Sequence, residues 1–188
     1  LNYIIMKQLL SLAAFLLACV LSFSQPAPET ISVVIKGGKF SIAKTNVTES
    51  WRQDAVSMEL GINDRRRAGM NVTHTYDDFG IVLFEKTQNK VGSGELSEIQ
   101  FYIAQGDTNA VSPKGFFVGK MKIEKLKISS DLSWQSVKEK LKDYKQTDSN
   151  IEHNYRLSYK GLYIYFQFNK EETTLLKISV GKDQRTNN

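Results

Sequence analysis

The chain has 188 residues, 25 Lys and Arg against 20 Asp and Glu, a formal net charge of +5 and one cysteine. So mild a positive excess favours acidic partners only weakly and gives no argument for nucleic acid. One thiol excludes an intrachain disulfide, so stability has to come from apolar packing, and this length can bury one good core or two small coupled ones.

The opening stretch, LNYIIMKQLLSLAAFLLACVLSFSQPAPET, predicts an export signal. Met6-Lys7 is the charged start, Leu9 to Leu21 the apolar core, and Ser22 and Ser24 are the small residues before a cleavage site at Gln25. On this reading residues 1–24 are a bacterial signal peptide and 25–30 an extended lead, and the protein is periplasmic or extracellular. The alternative takes Leu16-Leu17-Ala18-Cys19 as a lipobox, with Cys19 lipidated as a membrane anchor. The apolar run is too short for an ordinary transmembrane helix, which needs ~20 residues.

Beyond the lead, Ile31 to Ile42 predicts a hairpin turning at Gly37-Gly38. Asn46 to Gly61 predicts one helix: Asn46 and Glu49 have capping-box spacing, Trp51, Ala55 and Met58 fall on one face, and Gly61 ends it. The stretch INDRRRAGMNVTH predicts a polar loop, followed by strands over Thr75–Lys86 and Leu96–Ile103 joined by a glycine-containing turn. After turn-rich residues the order repeats. FFVGKMKIEKLKIS predicts a hairpin turning near Glu124-Lys125, and DLSWQSVKEKLKDYK a helix with Trp134, Val137, Leu141 and Tyr144 on one face. YRLSYKGLYIYFQFN and TLLKISVG predict the closing strands. The chain is therefore expected to be α+β, with two duplicated units at 31–104 and 116–181, a linker at 105–115 and a polar tail at 182–188. Each unit would hold a β-hairpin, one helix and an antiparallel strand pair, its tryptophan anchoring the helix to one face of the sheet.

Alternation along the strands separates two faces. Leu162, Ile164, Phe166 and Phe168, with Ile81, Leu83, Ile99, Phe101, Ile178 and Val180, form an apolar set for the core. Phe84, Tyr102, Tyr163 and Tyr165, among Gln100, Gln167 and Lys177, form the opposite set. Aromatics among amides are the composition of a protein-binding surface, although tyrosines on a solvated sheet also occur as ordinary cross-strand pairs. These four aromatics are the candidate contacts, with Arg65, Arg66 and Arg67 as a secondary charged contact suited to carboxylates and phosphates.

The order of elements, with Trp51, Tyr76, Gly80, Ile81, Leu83 and Phe84 echoed by Trp134, Gly161, Leu162, Ile164 and Phe166, resembles β-lactamase-inhibitor-protein-like and BamE-like secreted bacterial domains. The counterpart of Tyr76 falls at Leu157 or Ser158, and the cysteine pairs of the inhibitor family are missing. The resemblance implies binding of another protein through the sheet surface, as an inhibitor, immunity-type protein or assembly factor.

Little in the chain points to catalysis or to a cofactor. His74 and His153 each precede an expected strand and could hold a metal only by converging, with Asp77 or Asp78 adding oxygens. No nucleophile elbow or phosphate loop precedes a helix. Many of the lysines between Lys114 and Lys145 alternate with Met121, Ile123, Leu126 and Ile128, as on the outer face of an edge hairpin. A non-enzymatic binding protein is expected, with an envelope lipoprotein as the alternative and a hydrolase third.

Overall fold

A computed structural model describes residues 30–88, 91–147, 149 and 151–183. The expected signal peptide, Cys19 and most of the polar tail lie outside the described residues. In chain order come β1 (Ile31–Lys36), β2 (Lys39–Ile42), β3 (Thr45–Asn46), α1 (Val47–Ser50), α2 (Gln53–Leu60) and β4 (Arg65–Ala68). Next are β5 (Asn71–Tyr76), β6 (Ile81–Gln88), β7 (Val91–Tyr102), β8 (Gly119–Ile123) and β9 (Leu126–Ile128). Then α3 (Trp134–Lys140), β10 (Lys145–Thr147), β11 (Asn154–Tyr159), β12 (Leu162–Phe168) and β13 (Leu175–Lys182) complete the described chain.

The strands form two sheets, β3-β2-β1-β8-β9 and β10-β11-β12-β13-β7-β6-β5-β4. Pairing is antiparallel except between β1 and β8, which run parallel with Val33 opposite Met121 and Ile35 opposite Ile123. The larger sheet joins two four-stranded meanders, β4 to β7 and β10 to β13, where β7 meets β13 and Ile99 faces Val180.

The expected α+β class with helices covering the sheets is therefore corrected to a mostly β fold. Its helices have only 4, 8 and 7 residues. The small sheet meets the apolar face of the large one, Phe40 standing edge-on to Phe101 at 6.4 Å. The apolar set from both halves joins one core with Trp51 and Trp134. Each fully buried Ile or Phe there contributes about 1.5–3 kcal/mol.

Three local departures explain the change of class. The expected helix over 46–61 breaks at Trp51, which adopts φ 47° and ψ 40°. Its carbonyl accepts the N–H of Leu96 at 2.7 Å, and its ring packs 5.9 Å from Phe40. The break resets the helical phase, so Val56 and Leu60 are buried while Met58 is 81% exposed. The expected arginine loop is instead the edge strand β4, paired with β5 from Arg65–Thr75 to Ala68–Val72. The expected strand over Thr75–Lys86 is two strands, as is YRLSYKGLYIYFQFN, which turns at Lys160-Gly161. Both turns end at a glycine with positive φ, and Tyr76 faces Ile81 as Tyr159 faces Leu162. The topological counterpart of Tyr76 is thus Tyr159 rather than Leu157 or Ser158.

The second helix matches expectation better. Ser133 caps it by accepting from the N–H of Ser136, and Trp134, Val137, Leu141 and Tyr144 are all buried, although the helix ends at Lys140 and Leu141 and Tyr144 lie beyond it. Trp134 stacks on Tyr155 of β11 at 3.9 Å between centroids, so this tryptophan does anchor helix to sheet.

Candidate functional site

Register builds the outer face of the large sheet in cross-strand rows. Tyr163, Gly181 and Glu98 form one row, Tyr165, Ser179 and Gln100 the next, and Gln167, Lys177 and Tyr102 the third. Three of the four predicted aromatics thus lie on β12 and β7, with β13 between them. Phe84 lies on β6, directly beside Glu98.

Tyr163 spans the first row. Gly181 leaves room for its ring, since a Cβ there would lie 2.4 Å from the ring carbons, and the hydroxyl donates to Glu98 Oε2 at 2.7 Å. Gln100 Nε2 donates to the other oxygen of Glu98 at 2.6 Å, and the Tyr102 hydroxyl donates to Gln100 Oε1 at 3.1 Å. The Arg156 guanidinium lies 4.4 Å from the Tyr163 ring centre and donates to Asp183 at 3.1 Å. The Tyr165 hydroxyl meets Ser149 Oγ at 3.2 Å. The tyrosines are held in single orientations by this network, so little rotamer freedom remains to be lost on contact. Burial, then the Glu98 charge, pushes the Tyr163 phenol well up, and burial raises that of Tyr102. Both are neutral donors at ordinary pH.

Lys177 stands apart from this network. Its ammonium lies 5.5 Å from the Tyr102 ring centre, and among the described residues no carboxylate forms a salt bridge with it. Burial lowers its pKa, with the more distant Glu98 charge opposing. Lys177 also joins two hollows. One, of about 260 Å³, is lined by Tyr102, Gln167, Phe116 and the bend 104–108. The other, of about 410 Å³, is lined by Tyr163, Tyr165, Arg156 and Gln100. Asp107 lines the first hollow and Glu98 the second, so a partly desolvated cation on an aromatic ring, facing open volume, offers a place for an anionic group beside carboxylates already there.

The first half of the same face is occupied by the chain itself. Arg65 grips Asp77 through Nη2 at 2.6 Å and Nε at 3.1 Å, and also donates to the carbonyls of Ser112 and Ala110. Asp77 accepts the N–H of Lys114 at 3.0 Å, and Thr75 donates to the carbonyl of Val111. The linker therefore crosses the outer face here, and Val82, the cross-strand neighbour of Thr75, is fully buried. Hydrogen bonding to Arg65 holds the Asp77 carboxyl below its ordinary range. Arg65 is engaged inside the molecule, whereas Arg66 and Arg67 are exposed on the edge strand.

The histidines do not converge. His74 lies within β5 on the core side, its Nε2 at 2.7 Å from Glu85 Oε2, with both residues 5% exposed. His153 lies beside β11, its Nδ1 at 3.2 Å from Glu172, which also accepts from the Tyr155 hydroxyl. β5 and β11 are five strand steps apart, or about 24 Å at ordinary strand spacing. Among the described residues no group of three metal-capable side chains assembles. Sequence reasoning missed the His74–Glu85 pair, the Arg156 seat on Tyr163 and the linker clamp. The glycine Gly181 facing Tyr163 was the available signal for the second of these.

The class defined by this architecture is a mostly β protein of two packed sheets with an open, polar-aromatic outer face. A family model described as "Domain of unknown function (DUF7738)" matches residues 32–138, over half of the chain, and the chain belongs to that family. The matched stretch runs from β1 into α3 and so passes through the expected unit boundary. No curated protein matches the chain in sequence. Among solved structures, an extracellular protein containing a SCP domain from Bacillus anthracis aligns with a TM-score of 0.47 and 8% identity, over 71% of this chain and 44% of that one. A cysteine-rich secretory protein from Staphylococcus aureus aligns with a TM-score of 0.38 and 10% identity, over 76% of this chain and 46% of that one. The chain spans under half of either structure, and at these scores neither carries an argument about its activity.

Proposed function

We propose that this is an exported, non-enzymatic protein-binding module of inhibitor or immunity-like type, using the outer face of β12, β13 and β7. The observation that carries the reading is the pre-ordered cluster of Tyr102, Tyr163 and Tyr165 around Lys177, a partly desolvated ammonium that lines two hollows and has no salt-bridge partner among the described residues. Rigid tyrosines supply contact area at low entropic cost, and an acidic side chain of the partner would neutralise Lys177. The resemblance to β-lactamase-inhibitor-protein-like and BamE-like domains points the same way. The matching order of hairpin, helix and meander in both halves supports a duplicated origin. If Cys19 is lipidated, the same module is an envelope lipoprotein with an assembly or structural role.

The test is affinity capture from bacterial envelope extracts with the wild-type chain beside Tyr165→Ala and Lys177→Met variants of wild-type thermal stability. The expected result is a near-stoichiometric protein retained by the wild type and lost from both variants. Retention by all three, or by none, would remove this face from the reading.

A further inference from the structure

The small sheet has its own outer face. Pairing places Lys39 and Ser41 of β2, Ser32, Val34 and Lys36 of β1, Lys120 and Lys122 of β8 and Lys127 of β9 on it together. The strands thus contribute five lysines to that face and no carboxylate. Glu124, in the turn between β8 and β9, is engaged by the N–H of Gly37 at 2.8 Å and the Tyr144 hydroxyl at 3.1 Å.

Two pairs of these lysines stand directly opposite each other, Lys36 with Lys39 and Lys122 with Lys127. Like charges directly opposed across a ladder are destabilising. Protection of an edge strand accounts for Lys127 alone, because β1, β2 and β8 are all interior to the sheet. Within this field Val34 is 37% exposed, and Val118, just before β8, is 66% exposed. A broad surface of ammonium heads on apolar stems, with branched apolar side chains between them, matches the phosphates and shallow hydrocarbon of a headgroup layer. The repulsion within the face would be relieved there by lipid phosphates.

We propose that this face docks the protein flat on an anionic phospholipid surface. It lies on a different sheet from the tyrosine face, so a docked molecule keeps its other face free. The apolar run Leu9–Leu21 ends ten residues before β1, so a lipid on Cys19 would tether the molecule close to this same sheet.

The experiment is co-sedimentation of the full chain with vesicles of phosphatidylcholine alone and of equimolar phosphatidylcholine and phosphatidylglycerol. The readout is the ratio of the two partition coefficients, which cancels what the apolar run contributes to both. Each lysine near an anionic surface is worth about a factor of five. Lys120→Gln/Lys122→Gln should therefore lower the ratio roughly 25-fold, and Lys36→Gln/Lys127→Gln should do the same independently. Neither pair should lower the thermal midpoint, since each relieves like-charge contacts. The equal charge change Lys145→Gln/Lys170→Gln, at β10 and the β12–β13 turn, should lower the ratio less than about threefold. A ratio near one for the wild type, or equal losses for all three pairs, would overturn the proposal. Binding to soluble polyphosphate without preference for the anionic vesicles would overturn the lipid assignment.

Discussion

Gly80 and Gly161 close the same kind of turn in the two halves of the large sheet, with φ of 62° and 79°. Their surroundings differ. A Cβ on Gly80 would lie 2.2 Å from the backbone of Phe116, whereas one on Gly161 would meet nothing within 4 Å. The linker crosses the first half at that point, whereas in the second half only its start reaches the sheet, Ala104 and Gly106 lying against Leu176 of β13. The two meanders have the same alternation, yet on the outer face of the described sheet the tyrosines that line hollows stand on β12 and β7, with β13 between them. Strand pattern decides which side chains point outward, but the path of the connecting segment decides which remain available.

The largest expected effect comes from releasing that cover. Asp77→Ala removes the carboxylate that holds Arg65 and the Lys114 N–H together, leaving a half-buried guanidinium without its ion-pair partner. Loss of such a pair should cost about 2–4 kcal/mol in urea unfolding. Hydrogen exchange should rise in residues 104–115 and little in β11 to β13. Equal acceleration in both halves would mean that the linker is not a local cover.

Replacing the glycine under Tyr163 should have a smaller effect. Gly181→Ala puts a methyl against that ring, so the tyrosine must swing off Glu98, at a cost of about 1–3 kcal/mol. Tyr163→Phe removes only the hydroxyl and should cost about 1 kcal/mol, because Gln100 still serves Glu98. Gly181→Ala in the Tyr163→Phe background should then cost nearly as much as in wild type if the clash is steric, and markedly less if the lost hydrogen bond dominates.

One bond in each half should also be lost at opposite ends of the pH scale. Asp77 has its pKa lowered from the ordinary 3.8, so its contribution is present above that value and is lost as pH falls through the lower folded one. Tyr155 is raised from 10.0 to about 12, by burial and then by its bond to Glu172. Its contribution is complete below pH 10 and is lost as pH rises towards 12. The difference in thermal midpoint between wild type and Tyr155→Phe should therefore shrink across that alkaline window. The difference between wild type and Asp77→Ala should shrink only in acid.

These contrasts also show which features could be read before the fold was known. The faces of β12 were legible because Leu162 to Phe168 alternate strictly and both faces carry large side chains. Gly37-Gly38 and the buried series Trp134, Val137, Leu141 and Tyr144 were legible for equally local reasons. The break at Trp51 was not, because it depends on the Leu96 N–H, far away in sequence. Three consecutive arginines show no alternation, and β4 exists because β5 pairs with it and Asp77 holds Arg65. The parallel pairing of β1 with β8 joins segments nearly 90 residues apart and leaves no local mark. On the candidate site, the outward tyrosines were visible from period, but the linker over Val82 and the lack of a salt-bridge partner for Lys177 among the described residues are tertiary facts.

Lys177→Met gives the smallest expected change in stability and the clearest separation of folding from binding. Burial works against the charged form of Lys177, and among the described residues no carboxylate pairs with it. Methionine keeps the stem packed on Tyr102 while removing the ammonium, so stability should stay within about 1 kcal/mol of wild type or rise. The side chain is then retained at some energetic cost to the isolated fold, which is the pattern expected of a group that meets its counter-charge in a complex. A drop in thermal stability comparable with that of Asp77→Ala would show that Lys177 already has its compensation within the molecule, and the open half would lose its anchor for an acidic partner.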